Sequence, residues 1–204
     1  NSSQNFLDLY TPPEGVPVLS PTIVLVHGGS YYSGSKTDLG TMAQSLADRG
    51  YPTISMDYML VVDDGPSYPQ PIRDVKNVIR WIRTAGATQY QLPGQIVLVG
   101  ESAGSTIAAT AATANNSPVF ETLPVPPGGY AVDGLVGMWG RYDLVWNASL
   151  WVPKTVIHYL GLTIYAPTGP QVYAEASAIT YVSRCSPPTR LRAAAADPLA
   201  SVRD

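Results

Sequence analysis

The run Gln95-Ile96-Val97-Leu98-Val99 ends in Gly100-Glu101-Ser102-Ala103-Gly104-Ser105, and the small residues 106–114 follow at once. A β-branched strand that stops at one glycine and a helix-compatible segment that starts after another leave little freedom for the chain on either side. The unit is strand, sharp turn, helix. The two glycines have a physical task, because a serine held on a strained turn needs neighbours without Cβ atoms if the backbones are to approach closely and the hydroxyl is to project. Outside that context the same G-x-S-x-G pattern is an ordinary turn.

The strand-helix alternation continues on both sides. Ile23-Val24-Leu25-Val26 is a short continuous apolar run, as in a strand buried on both faces, and His27-Gly28-Gly29-Ser30-Tyr31-Tyr32 forms the loop after it. Ser35 and Asp38 read as a helix start, with Leu39, Met42, Leu46 and Ala47 on one stripe and Gly50 as the stop. A strand is predicted over 51–58. Pro71 suits a first helical turn, and Ile72, Val75, Ile79 and Ile82 recur with helical spacing up to Gly86. After the GESAGS helix come a Pro-rich loop over 117–129 and another strand over 134–139. Residues 141–182 mix aromatics (Tyr142, Trp146, Trp151, Tyr159, Tyr165, Tyr173) with short helical patches, which reads as a cap or rim excursion. The expected fold is α/β, a mostly parallel sheet with helices on both faces in one domain spanning 1–204.

Composition narrows the function. A formal net charge of −3 without a Lys/Arg cluster lacks the electrostatic footprint of a nucleic-acid binder. No apolar stretch approaches the roughly 20 residues that span a bilayer. The single cysteine, Cys185, excludes an intrachain disulfide and a cysteine-based zinc site, and nothing calls for a cofactor. Asn1 in place of methionine suggests a processed or excised chain, and the Asn-x-Ser sequons at Asn1, Asn115 and Asn147 suggest a secreted or extracellular protein, with a soluble cytoplasmic one as the alternative.

Acyl transfer needs a nucleophile, a base, a group that orients the base, and donors for the oxyanion. Ser102 is the candidate nucleophile. The Gly28-Gly29-Ser30 loop lies past the end of a buried parallel strand, where crevices form in open α/β sheets, and the Ala103 amide opens a helix without an intrahelical partner.

With these residues the chain resembles the α/β-hydrolase esterases and lipases of the His-Gly-Gly type. VHGGSYYSGS resembles their oxyanion loop, SMDYML the next strand end, residues 68–81 the helix before the elbow, and GESAGS the elbow of carboxylesterases. Residues 176–182 and 186–189 are similar to the approach to the acid-bearing strand. The resemblance implies hydrolysis of small-molecule esters, Gly29, Ser30 and Ala103 as oxyanion donors, Gly28 as the turn-former, and Asp197 as the triad acid, with Asp143 the rival.

Two departures accompany it. Ser30 stands where many relatives have a third glycine, with the hole expected intact if Ser30 keeps a negative φ. The family places its histidine after the acid, whereas here only His27, in the oxyanion loop, and His158, in the aromatic segment, occur. His158 reads as a packing residue or a substitute base. Two functions therefore stand: a serine carboxylic ester hydrolase with an aromatic-walled acyl pocket, or a catalytically impaired or binding relative. Residues 189–196, with Arg190 and Arg192, are expected at an exposed sheet edge, a template for a homo-oligomer.

Overall fold

The computed structural model describes residues 6–63, 65–145, 154–161 and 170–193. Among the described residues six strands form one sheet in the order β1-β3-β2-β4-β5-β6: β1 (Leu7–Tyr10), β2 (Thr22–Val26), β3 (Thr53–Met56), β4 (Ile96–Glu101), β5 (Gly134–Met138) and β6 (Thr189–Arg192). Only β1 runs antiparallel, against β3. The rest are parallel, as the alternating pattern requires. The fold is that of an α/β hydrolase.

Strand β2 is buried along its whole length because its two faces feed two cores. Ile23 and Leu25 pack with Leu39 and Ala43 on one side, while Val24 and Val26 join the larger core with Ile72, Val75, Ile79 and Ile107 on the other. This is why the run is continuously apolar rather than alternating.

Helix α1 (Gly40–Ala47) covers the smaller core. Its buried stripe is Leu39, Ala43 and Ala47, whereas Met42, expected inside, is 38% exposed. Alanines at 43 and 47 let the helix lie close on the sheet, which turns the stripe away from Met42. Helix α2 (Gln70–Trp81) buries Ile72, Val75 and Ile79 completely, as its spacing predicts, with Pro71 in the first turn. It does not end at Gly86. A π-helical turn (Ile82–Gly86) carries it into a short α3 (Ala87–Gln89), since glycine permits the helical conformation when packing against Leu92 favours it. Helix α4 (Ala103–Thr113) is buried over nearly its whole circumference, which its Ala, Ser, Thr and Gly composition allows.

Between β5 and β6 the described chain forms α5 (Lys154–Leu160), α6 (Pro170–Glu175) and a 3₁₀ turn (Ala178–Tyr181). Hydroxyls on α4 hold its return: Thr110 and Thr113 donate to the carbonyls of Ala176 (3.2 Å) and Ala178 (3.1 Å). Strand β6 pairs with β5 alone among the described residues and is exposed throughout, so Arg190 and Arg192 reach water at an edge. No helix among the described residues is long and apolar enough to cross a membrane.

One buried ion pair escaped the sequence reading. Lys76 on α2, 1% exposed, donates to Glu121 (3.0 Å), Asn115 Oδ1 (3.2 Å) and the Ala114 carbonyl (3.1 Å) beyond the end of α4. It tethers α2 to the C-terminal end of α4. Burial pulls the Lys76 pKa down, against the pull of Glu121. The Asn115 side chain is thereby engaged, so the one described sequon is not a freely projecting amide. The sequons at Asn1 and Asn147 fall outside the described residues.

Removing one member of a buried pair leaves the other uncompensated, so Glu121→Gln is expected to cost about 3 kcal/mol of stability, and the double change Lys76→Met, Glu121→Gln less than Glu121→Gln alone. Urea denaturation of the three chains measures both.

Candidate active site

Strands β2, β4 and β5 end side by side, and the candidate residues lie on the loops beyond those ends. Ser102 joins β4 to α4 with φ +50° and ψ −117°, a conformation L-residues avoid. Its amide donates to the Met138 carbonyl of β5 (2.7 Å), and its own carbonyl accepts from Ser105 (3.0 Å) and Thr106 (3.2 Å) to start the helix. The turn is strained and fixed from both sides.

The glycines of the motif are there for contact. A Cβ on Gly104 would fall inside the carbonyl oxygens of Val26 and His27, and one on Gly100 would lie 2.5 Å from the Ser105 Cα. Gly28 approaches the serine itself, since a Cβ there would lie 3.3 Å from Ser102 Cβ. The loop after β2 is thus brought against Ser102, and Ala103, the first residue of α4, adjoins them.

The negative φ at Ser30 on which an intact hole was made conditional is not what the chain adopts. Gly29 (φ +112°), Ser30 (+54°) and Tyr31 (+70°) all lie in the left-handed region. The chain must double back there, with the Tyr32 and Ser33 amides both donating to the Gly29 carbonyl (3.0 and 3.1 Å), and Ser30 accepts strain that glycine would avoid. Burial holds the strained loop. Tyr31 stacks on Tyr159 of α5 (4.1 Å) and accepts at its carbonyl from Val61 (2.9 Å).

Both histidines serve this loop. His27, 1% exposed, hydrogen-bonds through Nδ1 to the Gly28 carbonyl (2.7 Å) and stacks on Tyr58 (4.3 Å), whose hydroxyl donates to the His27 carbonyl (3.0 Å). His158 Nδ1 is hydrogen-bonded by the Tyr32 hydroxyl. Asp57 accepts from the Lys36 amide (2.7 Å), and buried Asp74 from the Met59 amide (2.9 Å) and Gln70 (2.7 Å), so both carboxylates bind backbone. Asp197 lies outside the described residues, as do Trp146, Trp151 and Tyr165 of the expected acyl wall. Tyr159 is 1% exposed and packs in the core, and Tyr142 hydrogen-bonds to Ser105 (2.8 Å) under the elbow. Among the described residues no group of His, Cys, Asp and Glu could hold a metal ion.

The sequence reading missed Thr106, whose hydroxyl receives the Arg141 amide (3.0 Å). It also missed Gly137 and Gly140, whose Cβ atoms would collide with the Tyr142 hydroxyl and, at 2.6 Å, with Ser105 Oγ, respectively. Gly137 within the 134–138 run and Gly140 just after it were the available signal.

Two expectations follow. Gly104→Ala pushes α4 off the β2 exit, so it should lower the thermal midpoint by several degrees and disorder the loop, read by melting and by amide exchange at residues 27–31. Burial also raises the pKa of Tyr31, Tyr58 and Tyr159 above 10. Their folded-state pKa is the higher one, so the stability they contribute is complete below pH 10 and is lost as pH rises beyond it. Urea midpoints at pH 8 and 10.5 should show the decline.

The chain matches the BD-FAE family model over residues 7–204. It is 32% identical over 177 residues to the esterase LipC of Mycobacterium tuberculosis, covering 83% of this chain and 42% of that protein. It is 28% identical over 195 residues to the esterase LipQ of the same organism, covering 91% and 44%. It therefore spans less than half the length of these relatives. Among solved structures it resembles a bifunctional GH43-CE protein of Bacteroides eggerthii (TM-score 0.80, 24% identity, 95% of this chain and 27% of that one). It also resembles an esterase of Thermogutta terrifontis (TM-score 0.70, 20% identity, 92% and 65%). With residues 7–204 matched and the sheet order in place, the chain belongs to the BD-FAE family of α/β-hydrolase esterases.

Proposed function

We propose that this chain carries the nucleophile and oxyanion site of a serine carboxylic ester hydrolase, with Ser102 forming the acyl-enzyme. The observation that supports this most is the strained Ser102 turn, φ +50°, lying against the Gly28 backbone. Strain of this kind persists where the surroundings over-determine it, and it clusters at active sites. In the proposed reaction Ser102 Oγ attacks the ester carbonyl as its proton passes to a base. The oxyanion then rests on the amides of Gly29 and Ala103, with Ser30, whose φ of +54° departs from the condition set for its amide, as the third candidate donor; the alcohol leaves with a proton, and water releases the acid. Asp197 is our candidate for the acid that orients the base, ahead of Asp143. The named activities of LipC and LipQ support ester hydrolysis as the reaction class.

A second reading, an ester-binding chain with impaired turnover, is favoured by one observation: both described histidines bond to the loop after β2, His27 to the Gly28 carbonyl and His158 to the Tyr32 hydroxyl. The two readings separate on one reagent. A fluorophosphonate probe should label the wild-type chain and not Ser102→Ala, and hydrolysis of phenyl acetate by Ser102→Ala should fall by about 10⁴–10⁶. Labelling retained in Ser102→Ala would remove Ser102 from the site. Absence of labelling in both chains would leave the binding reading.

A further inference from the structure

The loop after β2 carries adjacent glycines, Gly28 and Gly29, and the peptide unit between them holds the N–H of a candidate oxyanion donor. A peptide flanked by residues without Cβ atoms meets little resistance to turning over about its own axis. Such a rotation would carry the N–H away from the place it must hold for an oxyanion. The amide is useful only if the carbonyl in the same plane is fixed.

The carbonyl is fixed by partners on two sides. The Gly28 oxygen lies 2.7 Å from His27 Nδ1, which must carry the proton because a carbonyl only accepts. It also lies 3.3 Å from the Tyr58 hydroxyl, which is shared with the His27 carbonyl at 3.0 Å. Both lone pairs of the oxygen are thus engaged. Gly34 closes over the same atoms, since a Cβ there would lie 2.5 Å from His27 Nδ1 and 2.7 Å from the Gly28 oxygen.

The Gly28–Gly29 bond is trans, so its N–H points opposite its C=O and is turned away from His27, Tyr58 and Gly34. Among the described residues that N–H meets no acceptor. At the other side of the plane Gly28 lies against the Ser102 turn, where a Cβ would be 3.3 Å from Ser102 Cβ. Of the two groups on the carbonyl, His27 is the neighbour of Gly28 and moves with it. Tyr58 is 30 residues away, just past β3, 3% exposed and stacked on the His27 ring at 4.3 Å, so it ties this peptide to the sheet.

Resting on the reading of Ser102 as the nucleophile and Gly29 as an oxyanion donor, we infer that Tyr58 is a positioning residue for ester hydrolysis, its hydroxyl holding the Gly28–Gly29 peptide so that the Gly29 N–H stays presented to the oxyanion. Tyr58 acts through that peptide and touches no substrate. Its effect falls on charge that develops in the transition state, so it moves kcat and leaves KM.

The test separates the hydroxyl from the ring, because Tyr58→Phe keeps the stack on His27 and removes the donor. With phenyl acetate, kcat should fall by about 5–30-fold and KM change by less than about twofold, with a thermal midpoint lowered by no more than about 4 °C. A second readout needs no turnover. In the full chain carrying Ser102→Ala and labelled at its glycine nitrogens, acetate, whose carboxylate stands in for the oxyanion, should shift the Gly29 amide resonance, with affinity about 3–10-fold weaker once Tyr58→Phe is added. This titration decides alone if phenyl acetate is not turned over. An unchanged kcat in an active chain, an unchanged acetate affinity, a Gly29 resonance that acetate never moves, or a loss confined to KM overturns the inference and makes Tyr58 a packing residue. If Tyr58→Phe does not fold, Tyr58→Leu is measured against the same outcomes, and failure of both to fold likewise overturns it. Hydrolysis that survives Ser102→Ala removes the nucleophile reading alone, and the acetate result still decides on Tyr58.

Discussion

Helix α4 and strand β2 meet backbone to backbone: a Cβ on Gly104 would lie 2.2 Å from the His27 carbonyl oxygen and 2.3 Å from that of Val26. Everything at the C-terminal end of the sheet depends on it. Strands β2 and β4 pair with Val26 opposite Gly100, so β2 leaves the sheet where β4 turns into α4. With a side chain at 104 the helix would have to tilt outward, and the exit of β2 could no longer pass beneath it. With glycine there, the loop after β2 and the Ser102 turn occupy one small volume, and Gly28 reaches Ser102.

A polar stripe on α4 then locates the segments that have no strand to hold them. Ser105, Thr106, Thr110 and Thr113 are spaced along one side of the helix and bind, in order, Tyr142, the Arg141 amide, the Ala176 carbonyl and the Ala178 carbonyl. Each bond is worth only about 1 kcal/mol net, but each also fixes a distance between elements that apolar packing would leave free to slide. Apolar burial thus sets the layers, and hydroxyls set the register of the loops upon them.

Much of this was legible in the sequence for a simple reason. Continuous apolar runs at 23–26 and 96–99 admit few structures other than buried parallel strands, and the spacing of Ile72, Val75 and Ile79 fixes a helical face. The motif GESAGS located the elbow because its glycines answer to a local steric rule. What escaped depends on partners distant in sequence. Lys76 looks like a surface lysine until Glu121 and Tyr130 enclose it, and Met42 looks like core until Ala43 and Ala47 bring α1 close to the sheet. The positive φ of Ser30 was missed because the loop's doubling back is set by the hydrogen bonds to the Gly29 carbonyl, which leave no trace in composition.

The distribution of strain connects the fold to its use. Ser30, Tyr31, Ser102 and Trp139 each occupy a conformation that costs on the order of 1–3 kcal/mol, a sum comparable to the whole net stability of an ordinary domain. Such a concentration survives only where rigid elements leave no relaxed alternative. Here three adjacent strands in parallel register, packed from both faces, fix where each loop departs, and a peptide bridging β4 and β6 fixes the last of them. Relief is available by substitution at any of the four positions, glycine being the cheaper residue each time. That the chain carries Ser, Tyr, Ser and Trp instead means that stability is given up where β2, β4 and β5 end side by side, and the loops there are held in place by the sheet rather than by their own preferences.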